Sequence, residues 1–133
     1  KPRVHRETSA ALVAHLVPAT AVVEVGIGNR PAVAEALTER GVSVTATDIR
    51  PRSVPDGVSF VEDDVTDPDR SIYADAETIY ALNCPPELHR PIHALARSVG
   101  ARFVFTTLGG DPPTVSVDRH TLPGETLFVT KPE

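Results

Sequence analysis

The stretch AVVEVGIGNRPAVAEAL, residues 21–37, decides how this chain is read. Ala21 to Val25 is a short β-branched run, Gly26 and Gly28 stand two apart, and Val33 and Leu37 repeat at helical spacing in an alanine-rich segment. Strand, glycine turn and helix follow one another. Because glycine has no Cβ, such a turn lets backbone N–H groups at the head of the helix approach an anionic or strongly dipolar ligand. The stretch therefore predicts a cofactor cradle.

Working outward, Leu12, Val13, Leu16 and Val17 place a leading helix over His5–Val17, stopped by Pro18. Asn29 is expected to cap the crossover helix Pro31–Arg40, with Pro31 in its first turn and Gly41 as its stop. Val42, Val44 and Ala46 alternate with Ser43, Thr45 and Thr47 in a second strand that closes on Asp48, before the loop Arg50-Pro51-Arg52. A third strand, Val58–Val61, runs into Glu62-Asp63-Asp64, and a fourth, Thr78–Leu82, runs into Asn83-Cys84-Pro85-Pro86. Between them, Val65–Glu77 leaves room for a short helical or irregular crossover.

Leu88, Ile92, Leu95 and Val99 form one helical stripe in Pro86–Val99, with Pro91 expected in the first turn and Gly100 at the end. A fifth strand follows over Arg102–Thr107. Thr114–Val117 and Thr126–Thr130, around a Pro123-Gly124 turn, are expected to be antiparallel. Strands alternating with helices predict an α/β, doubly wound, mostly parallel Rossmann-like sheet of about five to seven strands in a single domain over residues 1–133. In such a sheet ligands sit beyond the carboxyl ends of the strands. Gly26–Arg30, Asp48–Ile49, Asp63–Asp64 and Asn83–Cys84 each follow a strand, so all four are expected along one rim.

Composition narrows the partners. The net charge of −5 and pI near 5.5 argue against a surface that coats nucleic acid or anionic membrane non-specifically. Cys84 is the sole cysteine, so no intramolecular disulfide can form, and no long apolar span or signal peptide is read, which makes the cytoplasm the expected compartment. Lys1 is not a natural start, so leading residues are expected to be missing. Two lysines stand against eleven arginines, a skew that fits a GC-rich genome and a salt-adapted cytoplasm. The 13 prolines exceed the roughly 5% average usage and punctuate the elements instead of interrupting them.

The series Glu24-Val25-Gly26-Ile27-Gly28, then Asp48, then Asp64 resembles the ordered motifs of class I S-adenosylmethionine-dependent methyltransferases, over about the first two-thirds of the chain. The short chain as a whole is similar to a family of small archaeal proteins of unassigned function with a methyltransferase-like Rossmann fold. Carried over by position, the resemblance implies that Gly26 and Gly28 lie against the methionine moiety and that Glu24 orients its ammonium. Asp48, with Ile49 beside it, would accept from the ribose hydroxyls, and Asp64 or its neighbour Asp63 would face the adenine amino group. Asn83-Cys84-Pro85-Pro86 is similar in part to the Asn/Asp-Pro-Pro-aromatic motif of amino-methyltransferases, but Cys84 is inserted and Glu87 replaces the aromatic residue. Arg30 stands where a third glycine is common and would repel a cationic cofactor if it turned inward. The acceptor and the catalytic residues are not implied.

The alternative cofactor is NAD. A nucleotide-binding regulatory domain, or a non-catalytic Rossmann module, would also carry Gly26-x-Gly28 followed by Asp48 about twenty residues on. Pro31 in place of the third fingerprint glycine and Glu24 near the pyrophosphate position oppose it. Cys84 is expected to pack rather than react, and His89 and His93 to form a surface pair rather than a metal site. Arg50 and Arg52 are expected in a solvated loop, with phosphate binding as the alternative. The tail strands offer an edge through which a homodimer could form.

Overall fold

The computed structural model describes residues 2–131. Helix α1 (Pro2–Leu16) leads into β1 (Ala21–Val25), α2 (Ala32–Glu39), β2 (Ser43–Asp48), β3 (Val58–Glu62), a 3₁₀ turn at Arg70–Ile72 and β4 (Thr78–Ala81). Then come α3 (Pro86–Val99), β5 (Arg102–Phe105), β6 (Val117–Leu122) and β7 (Glu125–Thr130). The strands form one sheet in the order β3-β2-β1-β4-β5-β7-β6. The first five pair in parallel, and β7 runs antiparallel to both β5 and β6. The order 3-2-1-4-5 is that of a doubly wound sheet, whose direction of winding reverses between β1 and β4.

Alternation along the strands sorts side chains into two cores. Val22, Val44, Ala46, Tyr80 and Val104 face α1 and α2, where Leu12, Leu16, Val33 and Leu37 meet them. Val23, Val25, Ile79, Phe103 and Phe105 face α3, where Ile92, Leu95 and Ala96 meet them. Helices therefore cover both faces of the sheet. Leu37 and Ile92 are fully buried, and truncating either to alanine is expected to cost about 2–5 kcal/mol.

Several element ends differ from the sequence reading. Asn29 does not cap α2, whose N-cap is Pro31 with no side-chain hydrogen bond. Asn29 instead accepts from Arg52 Nη1 at 3.4 Å. Pro91 falls in the second turn of α3, not the first; the helix, held by its apolar stripe against β4 and β5, tolerates the missing N–H. The penultimate strand is Val117–Leu122 instead of Thr114–Val117. At the sheet edge only its two ends are buried, so Asp118–Thr121 carry no alternating hydrophobic signal, and the hairpin's backbone pairing sets the strand. No helix among the described residues is long and apolar enough to cross a membrane.

Candidate functional site

The crevice above the β1–β4 switch point is a pocket of about 500 Å³. Its walls come from the ends of four parallel strands: Val25, Gly26 and Gly28 after β1, Thr47, Asp48 and Ile49 at β2, Asp63 to Thr66 after β3, and Ala81 to Pro85 after β4. Leu88 and Ile92 of α3 close the side. The rim expected from the sequence is thus assembled in one place. Gly26, Gly28, Asp48, Ile49, Asp63, Asp64 and Asn83 all line it.

Glu24 is placed elsewhere. As an even-numbered residue of β1 it shares a face with Val22, so its side chain enters the core under α1 and α2 and is 1% exposed. Tyr80, its partner across β1 and β4, donates its hydroxyl to Glu24 Oε1 at 2.7 Å. Burial raises the carboxyl to about 8, against a smaller lowering by the Tyr80 hydrogen bond. The group holds a proton at neutral pH, and the expected role of orienting a cofactor's ammonium is not supported by where it sits.

The glycine turn and the end of β2 are bonded to each other. Gly26 and Gly28 have φ of 73° and 55°, a left-handed conformation that favours glycine, and a Cβ at Gly26 would meet nothing within 4 Å. The N–H groups of Gly26 and Ile27 donate to the Thr47 carbonyl at 2.8 and 3.2 Å. Gly28 N–H donates to Asp48 Oδ2 at 2.9 Å, and Arg50 N–H to Asp48 Oδ1 at 3.1 Å. Arg52, contrary to the expected solvated loop, turns back so that its Nε lies 3.4 Å from Asp48 Oδ2. That Nε is buried with no hydrogen-bond partner, so the contact is an ion pair rather than a hydrogen bond.

The two aspartates after β3 are used differently. Asp63 faces inward: Oδ2 accepts the Tyr73 hydroxyl at 2.6 Å and Oδ1 the Asp69 N–H at 3.1 Å. Asp64 is exposed; its Oδ1 accepts both the hydroxyl and the N–H of Thr66, at 2.7 and 2.9 Å, and these two bonds hold its carboxyl below the usual range. Asp64 Oδ2 has no hydrogen-bond partner among the described residues. Ile49, 66% exposed, projects an apolar side chain at the same rim.

After β4, Asn83 has φ of 52°, the sole left-handed residue other than glycine among those described, and its N–H donates to Thr106 Oγ1 at 2.8 Å. Such a backbone in a residue with a side chain marks a position fixed by its surroundings. Cys84 is buried, and desolvation, with a smaller effect of Glu87, pushes its thiol to about 12, so it packs as an inert side chain. His89 is not a surface residue. It is fully buried, with Nδ1 accepting the Thr114 N–H at 3.1 Å and Nε2 3.0 Å from the Cys84 carbonyl, to which it donates. Both ring nitrogens are thereby engaged, one with the β4–α3 turn and the other with the loop between β5 and β6. Arg30 does not line this pocket; it is exposed on the wall of a neighbouring cavity.

Sequence reasoning did not place Arg52, Thr66, Leu88 and Ile92 in the wall. Leu88 and Ile92 carried a signal, because their helical stripe begins directly after the β4 rim.

This chain belongs to the uncharacterised protein family UPF0146, whose family model matches residues 7–133. The UPF0146 protein OE_4661R of Halobacterium salinarum is 53% identical over 124 residues, covering 92% of this chain and 93% of its own length. Among solved structures, magnesium protoporphyrin IX methyltransferase from Synechocystis PCC 6803, with bound SAM, matches 97% of this chain and 81% of its own with a TM-score of 0.65 at 16% identity. The 1,6-didemethyltoxoflavin-N1-methyltransferase of Burkholderia thailandensis, with bound S-adenosylhomocysteine, matches 96% of this chain and 60% of its own with a TM-score of 0.56 at 23% identity. At these identities the likeness shows a methyltransferase-like Rossmann fold.

Proposed function

We propose that this chain binds S-adenosylmethionine in the crevice above the switch point, and that it is a methyltransferase-like protein. The observation that carries the reading is the convergence of Asp48, Asp63 and Asp64 on one pocket whose only guanidinium among the described lining residues, Arg52, is already paired with Asp48. Such a wall favours a cationic ligand and opposes a pyrophosphate. The pocket volume of about 500 Å³ lies within the range of small-ligand sites.

Within that pocket the adenine ring fits between Ile49 and the apolar group Val65, Leu88 and Ile92, with the free oxygen of Asp64 toward its amino group. Asp63 is the positioning residue of the pair, since its oxygens hold Tyr73 and the Asp69 backbone. Asp48 takes the ribose hydroxyls on the lone pairs left by Gly28 and Arg50, and the bare backbone at Gly26 lets the sulfur end come close. When bound, S-adenosylmethionine supplies a methyl group on a sulfonium. The walls contribute orientation, holding an acceptor in line with that carbon.

Isothermal titration with S-adenosylhomocysteine and, in parallel, with NAD tests the reading. Binding of S-adenosylhomocysteine with a clear margin over NAD is the expected result. Preference for NAD would turn the reading to a dinucleotide module, and binding of neither would leave a fold without its cofactor.

A further inference from the structure

A second cavity, of about 650 Å³, adjoins the first, and the two share Leu82 and Asn83 as a common wall. Across it stand two opposite charges. Arg30, from the turn after Gly28, lines one part, and Glu125, at the head of β7, lines another. The Arg30 guanidinium has no hydrogen bond or ion pair among the described residues, and the two side chains do not pair with each other. Glu125 uses Oε2 for the Thr126 N–H at 3.3 Å. Leu12 of α1 and Thr106 after β5 also line the cavity. A guanidinium and a carboxylate held apart across one cavity complement a zwitterion, because each accepts the opposite end of an α-amino acid.

We propose that this second cavity receives an α-amino-acid group, its carboxylate on Arg30 and its ammonium on Glu125, and that the group is the amino-acid arm of the adenosyl cofactor. The inference rests on the adenosyl reading of the first pocket. Two features of the molecule favour one ligand spanning both cavities. The cavities meet at Asn83, so an adenosyl group over β2 and β3 has its sulfur end directed past the glycine turn toward Arg30. Glu24, the residue the sequence resemblance assigns to the ammonium, is buried with Tyr80, which leaves that charge to be met by another carboxylate. Arg30 then becomes an anchor for the cofactor's anionic end instead of an obstacle to its cationic centre.

5′-Methylthioadenosine keeps the adenosyl group and the thioether but lacks the amino-acid arm, so it separates the two cavities. Titration calorimetry of S-adenosylhomocysteine and methylthioadenosine against the wild-type chain, Arg30→Gln and Glu125→Gln gives the test. Arg30→Gln is expected to weaken S-adenosylhomocysteine about 10- to 100-fold, the scale of a lost charge-assisted hydrogen bond, and to leave methylthioadenosine within about twofold. Glu125→Gln should weaken only S-adenosylhomocysteine as well, and Arg30→Lys should restore part of the loss. An Arg30→Gln variant that binds S-adenosylhomocysteine as tightly as wild type, or that weakens both ligands equally, overturns the assignment while the adenosyl reading stands. A wild-type chain that binds neither ligand removes both.

Discussion

Two acidic regions lie close together in the sheet, Glu24 opposite Ala46 and Asp48 two residues further along β2, and meet opposite fates. At the strand-end rim, Asp48, Asp63 and Asp64 accept from backbone N–H groups and from Tyr73 and Thr66, and they stay within reach of water or a ligand. Midway along β1, Glu24 sits in the apolar core, tied to Tyr80 and holding its proton to about pH 8. Both kinds of acid precede or follow the same glycine turn. Whether the carboxylate lies midway along its strand, or at or beyond its end, separates a group that serves the core from one that can receive a ligand.

The contrast is broken most forcefully through pH. The folded chain keeps a proton on Glu24 up to about 8, whereas the unfolded chain releases it near the ordinary value of 4.5. Unfolding therefore releases a proton in that window, and stability falls as pH rises from about 4.5 through about 8, by on the order of 5 kcal/mol. Urea unfolding of wild type and Glu24→Gln across that window reads the difference directly. The wild-type decline should disappear in the variant, and parallel profiles would show that Glu24 ionises freely.

At the rim, Gly28→Val should cost roughly 1–3 kcal/mol of stability, since a β-branched side chain must hold a left-handed backbone, and should abolish binding of S-adenosylhomocysteine. Thermal unfolding with the ligand titration checks both; a stable variant that still binds contradicts the cradle. Asp48→Ala removes the acceptor for Gly28 and Arg50 and is expected to weaken S-adenosylhomocysteine by about 1–3 kcal/mol. Unchanged affinity in a folded variant would take Asp48 out of the site. The smallest effects separate the neighbours after β3. Asp63→Asn should lower stability by about 1 kcal/mol through the Tyr73 bond, whereas Asp64→Asn should leave stability unchanged and weaken the ligand. The reverse pattern in unfolding and binding measurements would exchange their roles.

How much of this was legible follows the same division. Strand, glycine turn and helix at residues 21–37 read correctly because periodicity, glycine and the Gly41 stop agree locally, and the rim positions follow once each strand is placed. The burial of Glu24 depends on Tyr80, 56 residues away, and on α1 and α2 covering that face. Arg52 looked like a loop residue because nothing local shows that the chain after β2 folds back on Asp48. His89 shows no sign of burial in its own stripe, where Leu88, Ile92, Leu95 and Val99 define the apolar face; its ring is held by Thr114 from a loop 25 residues on. β6 was displaced because an edge strand paired through a hairpin needs little side-chain burial.

The function turns on where an adenosyl group sits. A crystal structure of the chain grown with S-adenosylhomocysteine would locate it. The adenine should lie between Ile49 and Leu88 with its amino group toward Asp64, and the ribose hydroxyls should be on Asp48. A ligand seated away from the β2 and β3 strand ends, with Asp48 and Asp64 untouched, would contradict the account.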